Sequence, residues 1–241
     1  MLTISRVAVS TGDATPRASR PPSAPVPAVR LGRVWRVVLG ERPRTWTIAP
    51  GGDADRADAL SIRQRVYEAQ FGTGWPKEED VLDARAFLCV VRRPDGEAVA
   101  SLRVIGPDDR PLEIESMLPL DELPAGARPG EMNRFAIVPE SRRMSTGIHM
   151  ALFQWAFALA RRDRYSHFFV VAPRDVKAIY EFLLFRPVGN RTFPHPRLDT
   201  VFCTPMVLDL HDVQVRYHEA RHAFASLLER QDGLAPELRP A

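Results

Sequence analysis

Carboxylates and arginines recur through the middle of this sequence at spacings that invite chemistry: Arg63, the pair Asp80-x-x-Asp83, Arg103, and Glu131-x-x-Arg134. An ionised carboxylate accepts a proton, and an arginine beside it either holds an anion or pins the carboxylate in an ion pair that only organises the fold. Tyr180 adds a phenol on an apolar helix face, able to donate a proton or simply to pack. A second pattern, His218-Glu219-Ala220-Arg221-His222, has the H-E-x-x-H spacing that sets two histidines on one helical face for zinc, with the glutamate to activate water. Glu229 and Glu237 are the candidate third ligands, but Val213, Tyr217, Ala220, Phe224 and Leu228 form an apolar stripe at helical spacing. That stretch reads as a docking helix, and no metal is expected.

The elements that must position these groups sit in a chain of 241 residues, enough for one full-sized α/β domain and a tail. Residues 1–44 hold eight arginines against Asp13 and Glu41, so a net charge of +3 leaves the remainder at about −3. Basic residues concentrated in a tail rather than on a folded face argue against nucleic-acid binding. Cys89 and Cys203 each lie in an apolar run, which predicts free thiols and a cytoplasmic setting. No apolar stretch reaches the roughly 20 residues of a membrane span.

Residues 1–30, rich in proline and arginine, read as a disordered tail. Residues 31–44 read as a docking segment, helix or strand, ahead of a domain over 45–210. The patterns predict a strand at 45–49, a helix from an Asp53 cap to Gly72, and a hairpin of strands 86–92 and 97–105 around Pro94-Asp95-Gly96. A short strand is expected at 112–115, a central strand at 131–138, and a long helix at 145–162. A strand at 167–172, a helix at 174–184, a closing strand at 201–208 and an amphipathic helix at 212–231 complete the reading. Strand, helix, strand implies a parallel pair within a mixed, mostly antiparallel sheet.

That order resembles the GNAT acyltransferase fold, and VKAIYEFLLFRPVG at 176–189 resembles its characteristic last helix and turn. Three pieces resemble more narrowly the branch of acyl-homoserine-lactone synthases and long-chain N-acyl amino acid synthases: Arg63-x-x-Val66-Tyr67, Asp80-x-x-Asp83, and Glu131-x-x-Arg134-Phe135, with Arg103 on the strand between. The tryptophan that lactone synthases carry after the glycine is displaced here to Trp75, which counts against S-adenosylmethionine as acceptor. Arg142-Arg143-Met144-Ser145-Thr146-Gly147 is a degenerate version of the fold's pyrophosphate loop.

The resemblance implies transfer of a fatty acyl group from an acyl carrier protein thioester to a primary amine, on an amino acid or a peptide. The donor substrate is then acyl-phosphopantetheine, in preference to acyl-CoA, and no tightly bound cofactor is needed. It assigns Glu131, Asp80, Asp83 and Arg103 to catalysis, Tyr180 to protonating the departing thiolate, and backbone N–H groups of a bulge near Phe135–Ile137 to the carbonyl oxygen. Arg63, Tyr67, Trp75, Arg134 and Phe135 are expected around the substrate, with Phe153 and Phe169 along the acyl chain. Arg142, Arg143 and Gly147 are expected to meet the carrier. A lactone synthase, a zinc hydrolase built on the C-terminal helix, and a silent carrier-binding module are the alternatives.

Overall fold

The computed structural model describes residues 33–42, 45–72, 81–120, 123–195 and 198–239. Strands β1 (Val34–Leu39) and β2 (Trp46–Pro50) precede helix α1 (Asp53–Phe71). Strands β3 (Phe87–Arg92), β4 (Ala98–Ile105) and β5 (Pro129–Ile137) follow, then helix α2 (Ser145–Arg162) and strand β6 (His167–Pro173). Helix α3 (Lys177–Phe182), strands β7 (Arg186–Pro187), β8 (Phe193–His195) and β9 (Leu198–Asp209), and helices α4 (Val213–Glu219) and α5 (Ala225–Glu229) complete the chain.

The strands form one mixed sheet in the order β2-β1-β3-β4-β5-β6-β9-β7, with β8 against β9. Among the described residues β1/β3 and β5/β6 are the strand pairs that run in parallel, with a single parallel bridge from Ile48 of β2 to Leu234. The segment at 34–39 is a full member of this sheet, lying between β2 and β3, so the folded unit begins before residue 45. Its alternation explains why: Val34, Trp35 and Val37 bury while Arg36 and Val38 reach out. The 1–30 tail lies outside the described residues.

In α1, Ala59, Ile62, Arg63 and Val66 recur at helical spacing and bury against the sheet, and Tyr67 follows Arg63 by one turn. The cap is Gly52, not Asp53: Asp55 reaches back to accept the Gly52 N–H at 3.0 Å. Gly72, at φ 95°, ends the helix with a backbone conformation that a side chain would strain. The β3–β4 hairpin turns where expected, although only Gly96 of the Asp-Gly pair takes a positive φ.

Two expected elements differ. Residues 113–116 form a 3-10 turn rather than a strand, because Glu115 accepts the Leu112 N–H at 2.8 Å and Ile114 gives its N–H to Glu131. The C-terminal helix is broken: α4 closes at Glu219, Arg221 is left-handed at φ 47°, and α5 restarts at Ala225. No helix among the described residues is long and apolar enough to cross a membrane.

Candidate active site

The strands β5 and β6 pair only from Pro129–Glu131 to His167–Phe169, while both continue beyond that register. Where pairing stops, a cavity of about 160 Å³ opens. Its apolar wall includes Phe71, Met117, Met132, Phe135, Phe153 and Ile179, and its polar groups include Tyr67, Glu113, Glu131, Asn133, Arg134 and Tyr180, with Gln70, His149 and Asp175 also on the lining. Phe135 stacks on Phe153 at 6.2 Å between ring centres and meets His149, tilted by 31°, at 5.0 Å.

Behind the cavity runs a buried ionic network. Asp83 accepts both guanidinium N–H groups of Arg63 at 2.8 Å and one from Arg103 at 3.2 Å. Burial pushes the Asp83 carboxyl up, but the two guanidinium groups outweigh it and hold it below the usual range. Arg56 donates to the Asp83 carbonyl at 3.0 Å, pinning the backbone as well. Arg103 also donates to Asn133 at 2.6 Å and to Glu113 at 2.9 Å, and Arg134 reaches the other oxygen of Glu113 at 2.8 Å.

Glu131 closes the chain of contacts. It is 1% exposed and accepts the Ile114 N–H at 3.0 Å. Burial pushes its carboxyl up to about 7; the bonds from Ile114 and Asn133 and the charge of Arg103 oppose that rise, while Glu113 adds to it. A carboxyl poised there is half-ionised at neutral pH, the condition under which a general base works well.

The register of β4 on β5 jumps between Ser101 and Arg103, so β5 carries an extra residue at Arg134–Phe135, with Arg134 at φ 54°. The bulge thus sits just before the Phe135–Ile137 position expected for it. The Tyr67 hydroxyl donates to the Phe135 carbonyl at 3.5 Å, which ties α1 to the bulge. Burial raises the Tyr67 and Tyr180 hydroxyls above the ordinary phenol value; arginines, Arg134 foremost, moderate the first, and Tyr67 adds to the second.

The structure therefore brings Arg63, Asp83, Arg103, Glu131 and Arg134 into one connected cluster. Only Glu131 and Arg134 of that set line the cavity, together with Tyr67, Phe135, Phe153 and Tyr180. Arg63, Asp83 and Arg103 stand behind it. Phe169 does not line the cavity: it packs in a second core with Ala86, Ile105, Leu112, Ile114 and Leu118. Asp80 and Trp75, and the side chain of Arg143, lie outside the described residues. Arg142 is exposed just before α2, and an added Cβ at Gly147 would meet nothing within 4 Å, so no close approach demands that glycine. Glu113 and Asn133 are, among the cavity residues that sequence patterns missed, the two that join the ionic network. Glu113 falls in a stretch without periodicity, and Asn133 is a polar residue inside the Glu131-x-x-Arg134 spacing.

His218 and His222 do not form a metal pair. The helix ends between them, His218 meets Glu229 at 2.8 Å, and the His222 Nε2–H is donated to the Phe182 carbonyl at 2.8 Å. Among the described residues no cluster of three metal-ligating side chains occurs.

Comparison with known proteins bears on the fold and the family. The chain aligns over 68% of its length, at 15% identity and a TM-score of 0.53, with 95% of the structure of FeeM, an N-acyl amino acid synthase from uncultured soil microbes. It aligns over 77%, at 21% identity and a TM-score of 0.51, with 94% of TofI in a ternary complex with an inhibitor and MTA. Both likenesses establish the GNAT-type acyltransferase fold. Among curated proteins none matches the sequence. The sequence profile of the N-acyl amino acid synthase FeeM family matches residues 58–209, more than half of the chain, from within α1 to the end of β9. The chain belongs to the FeeM family of N-acyl amino acid synthases and is an N-acyltransferase.

Proposed function

We propose that this protein transfers a long-chain acyl group from an acyl carrier protein thioester to the primary amine of an amino acid or a related amine or peptide. Glu131 carries this reading: a buried carboxyl with a proton affinity near neutrality stands among the polar groups of a cleft whose other wall is apolar. In the reaction the amine nitrogen attacks the thioester carbonyl, a C–N bond forms and the C–S bond breaks. The proton lost by nitrogen passes to Glu131, directly or through water, and the thiolate leaves with a proton drawn from the cleft or solvent.

Tyr180 holds its proton too tightly to surrender it outright to a thiol of ordinary acidity, so its role is a hydrogen bond to the departing sulfur. Glu113 and Arg134, paired with each other at 2.8 Å, face the acceptor's amino and carboxylate groups, and the amino group attacks as the neutral amine after leaving its extra proton to solvent. Asp83, with both oxygens committed to arginines, positions Arg103 and through it Asn133 and Glu113. The apolar wall takes the acyl chain, each buried CH₂ contributing about 0.8 kcal/mol. Arg142, exposed ahead of α2, faces the acidic surface of the carrier.

The test is incubation of the purified protein with acyl carrier thioesters and acyl-CoA against a panel of amino acids, with products identified by mass spectrometry. Amide product from the carrier thioester is expected, at a rate that rises with pH and levels above about 7 as Glu131 ionises. Glu131→Gln is expected to lower kcat by about 10²-fold or more. A variant that retains full kcat and the same pH profile removes Glu131 as the base, and exclusive use of acyl-CoA removes the carrier as donor.

A further inference from the structure

A second cavity, of about 320 Å³, lies beside the carboxyl end of α2 and shares no lining residue with the acyl-transfer cleft. Phe153 of α2 faces the cleft and Arg161 faces this second cavity, so about 12 Å of helix axis separates them. Phe157, Leu210, Val213 and Leu228 give the second cavity an apolar wall. Arg161 and Arg164 give it positive charge, and no carboxylate lines it.

Arg161 is unusual among the described arginines. Its Nε is sealed from solvent and has no hydrogen-bond partner, whereas the adjacent Arg162 is matched by Asp163 at 2.6 Å. Burial alone acts on the Arg161 guanidinium and lowers its proton affinity, with no anion to offset the cost. Arg164 sits in the left-handed conformation, φ 54°, at the turn that ends α2, a position that glycine fills at least cost. A guanidinium is thus kept at a cavity mouth where the backbone would favour no side chain at all.

We propose that this cavity binds an amphipathic carboxylate, its head between Arg161 and Arg164 and its alkyl chain on the Phe157, Leu210, Val213 and Leu228 wall. Guanidinium groups pair with carboxylates in a planar, two-bonded geometry, and the missing counter-ion for Arg161 is what such a head supplies. A strongly hydrated dianion such as phosphate would lose water against the apolar wall with nothing returned, so a tail is part of the recognition. A free fatty acid and an N-acyl amino acid share this chemistry. The second source rests on the function proposed above, and the first does not.

Titration calorimetry on the full chain tests the site with octanoate, hexanoate, N-octanoylglycine, 1-octanol and inorganic phosphate. The carboxylates are expected to bind, with hexanoate roughly 16-fold weaker than octanoate at about fourfold per methylene. Octanol and phosphate are expected to bind at least about tenfold more weakly than octanoate. Arg161→Met, and the exposed Arg164→Met as a variant that leaves the packing of α2 alone, should each weaken octanoate by about tenfold, while Phe153→Ala in the cleft leaves that affinity unchanged. The tighter of octanoate and N-octanoylglycine identifies the source. Octanoate binding that survives Arg164→Met, that disappears in Phe153→Ala, or that phosphate equals, overturns the proposal, as does no binding at all.

Discussion

Glu131 and Asp83 are both buried carboxyls in one network, and their protons behave in opposite ways because of what faces them. Asp83 meets two guanidinium groups that outweigh its burial, while burial dominates at Glu131, with a neighbouring glutamate adding to it and only one backbone N–H, an amide and the charge of Arg103 opposing it. The folded state therefore holds a proton on Glu131 where the unfolded chain has lost it. Its contribution to stability is fully present below about pH 4.5 and is lost as pH rises to about 7, a difference of up to roughly 3 kcal/mol. Urea denaturation at pH 5 and pH 8 should show that loss in the wild type and a flatter response in Glu131→Gln. Asp83 has the reverse sign: its contribution is present above the ordinary aspartate range and disappears as pH falls through its depressed value. Asp83→Asn removes the carboxylate that faces Arg63 and leaves Arg103 with Glu113 as its carboxylate, and should cost about 3–5 kcal/mol by the same measurement. The sequence order of Arg63, Asp83, Arg103 and Glu131 made their meeting legible. Which of them face the cleft was not, because that depends on how residues 107–120 fold across the sheet, and Glu113 emerged only there.

At the scale of elements, α3 has six residues and cannot be stable on its own. Its last turn is held by the segment after β9. Tyr217 donates to the Leu183 carbonyl at 2.7 Å, Arg216 to Leu184 at 3.3 Å, and the His222 ring to Phe182 at 2.8 Å. These donors satisfy carbonyls that a helix end leaves open, and α3 carries Tyr180 into the cleft. Tyr217→Phe should cost about 1 kcal/mol and speed amide exchange at Leu183–Phe185, with a smaller loss of kcat than Glu131→Gln gives. The break in the C-terminal helix has the same origin. His222 and Phe224 gather against Phe182, and Tyr217 stacks on His222 at 4.7 Å and meets Phe224, a cluster that an unbroken helix could not assemble. The apolar spacing at 213–228 marked Val213, Tyr217, Phe224 and Leu228, which bury, and Ala220, which the break leaves exposed; burial at helical spacing survives a kink, so the pattern could not register it. The β3–β4 hairpin was legible because local turn chemistry alone decides it.

For the molecule as a whole, the sheet ends at β2, and residues far along the chain cover that edge. The Ile48 N–H is donated to the Gly233 carbonyl at 2.6 Å, the Ala235 N–H returns to Ile48 at 2.8 Å, and Leu234 and Leu238 bury in the main core. Gln154 of α2 accepts from the Trp46 indole and donates to the Arg230 carbonyl at 3.0 Å, tying the same corner together. No periodicity announces residues 233–235 as a strand partner, since a single bridge of this kind carries no pattern. A fragment ending at residue 209 should lose solubility, by sedimentation, while keeping far-ultraviolet helix and strand signals. The order of synthesis gives that corner a further meaning. Until residue 235 has been made, β2 offers a bare row of amides and carbonyls to any passing strand, and the nascent protein is at its most adhesive just before it is finished being sealed.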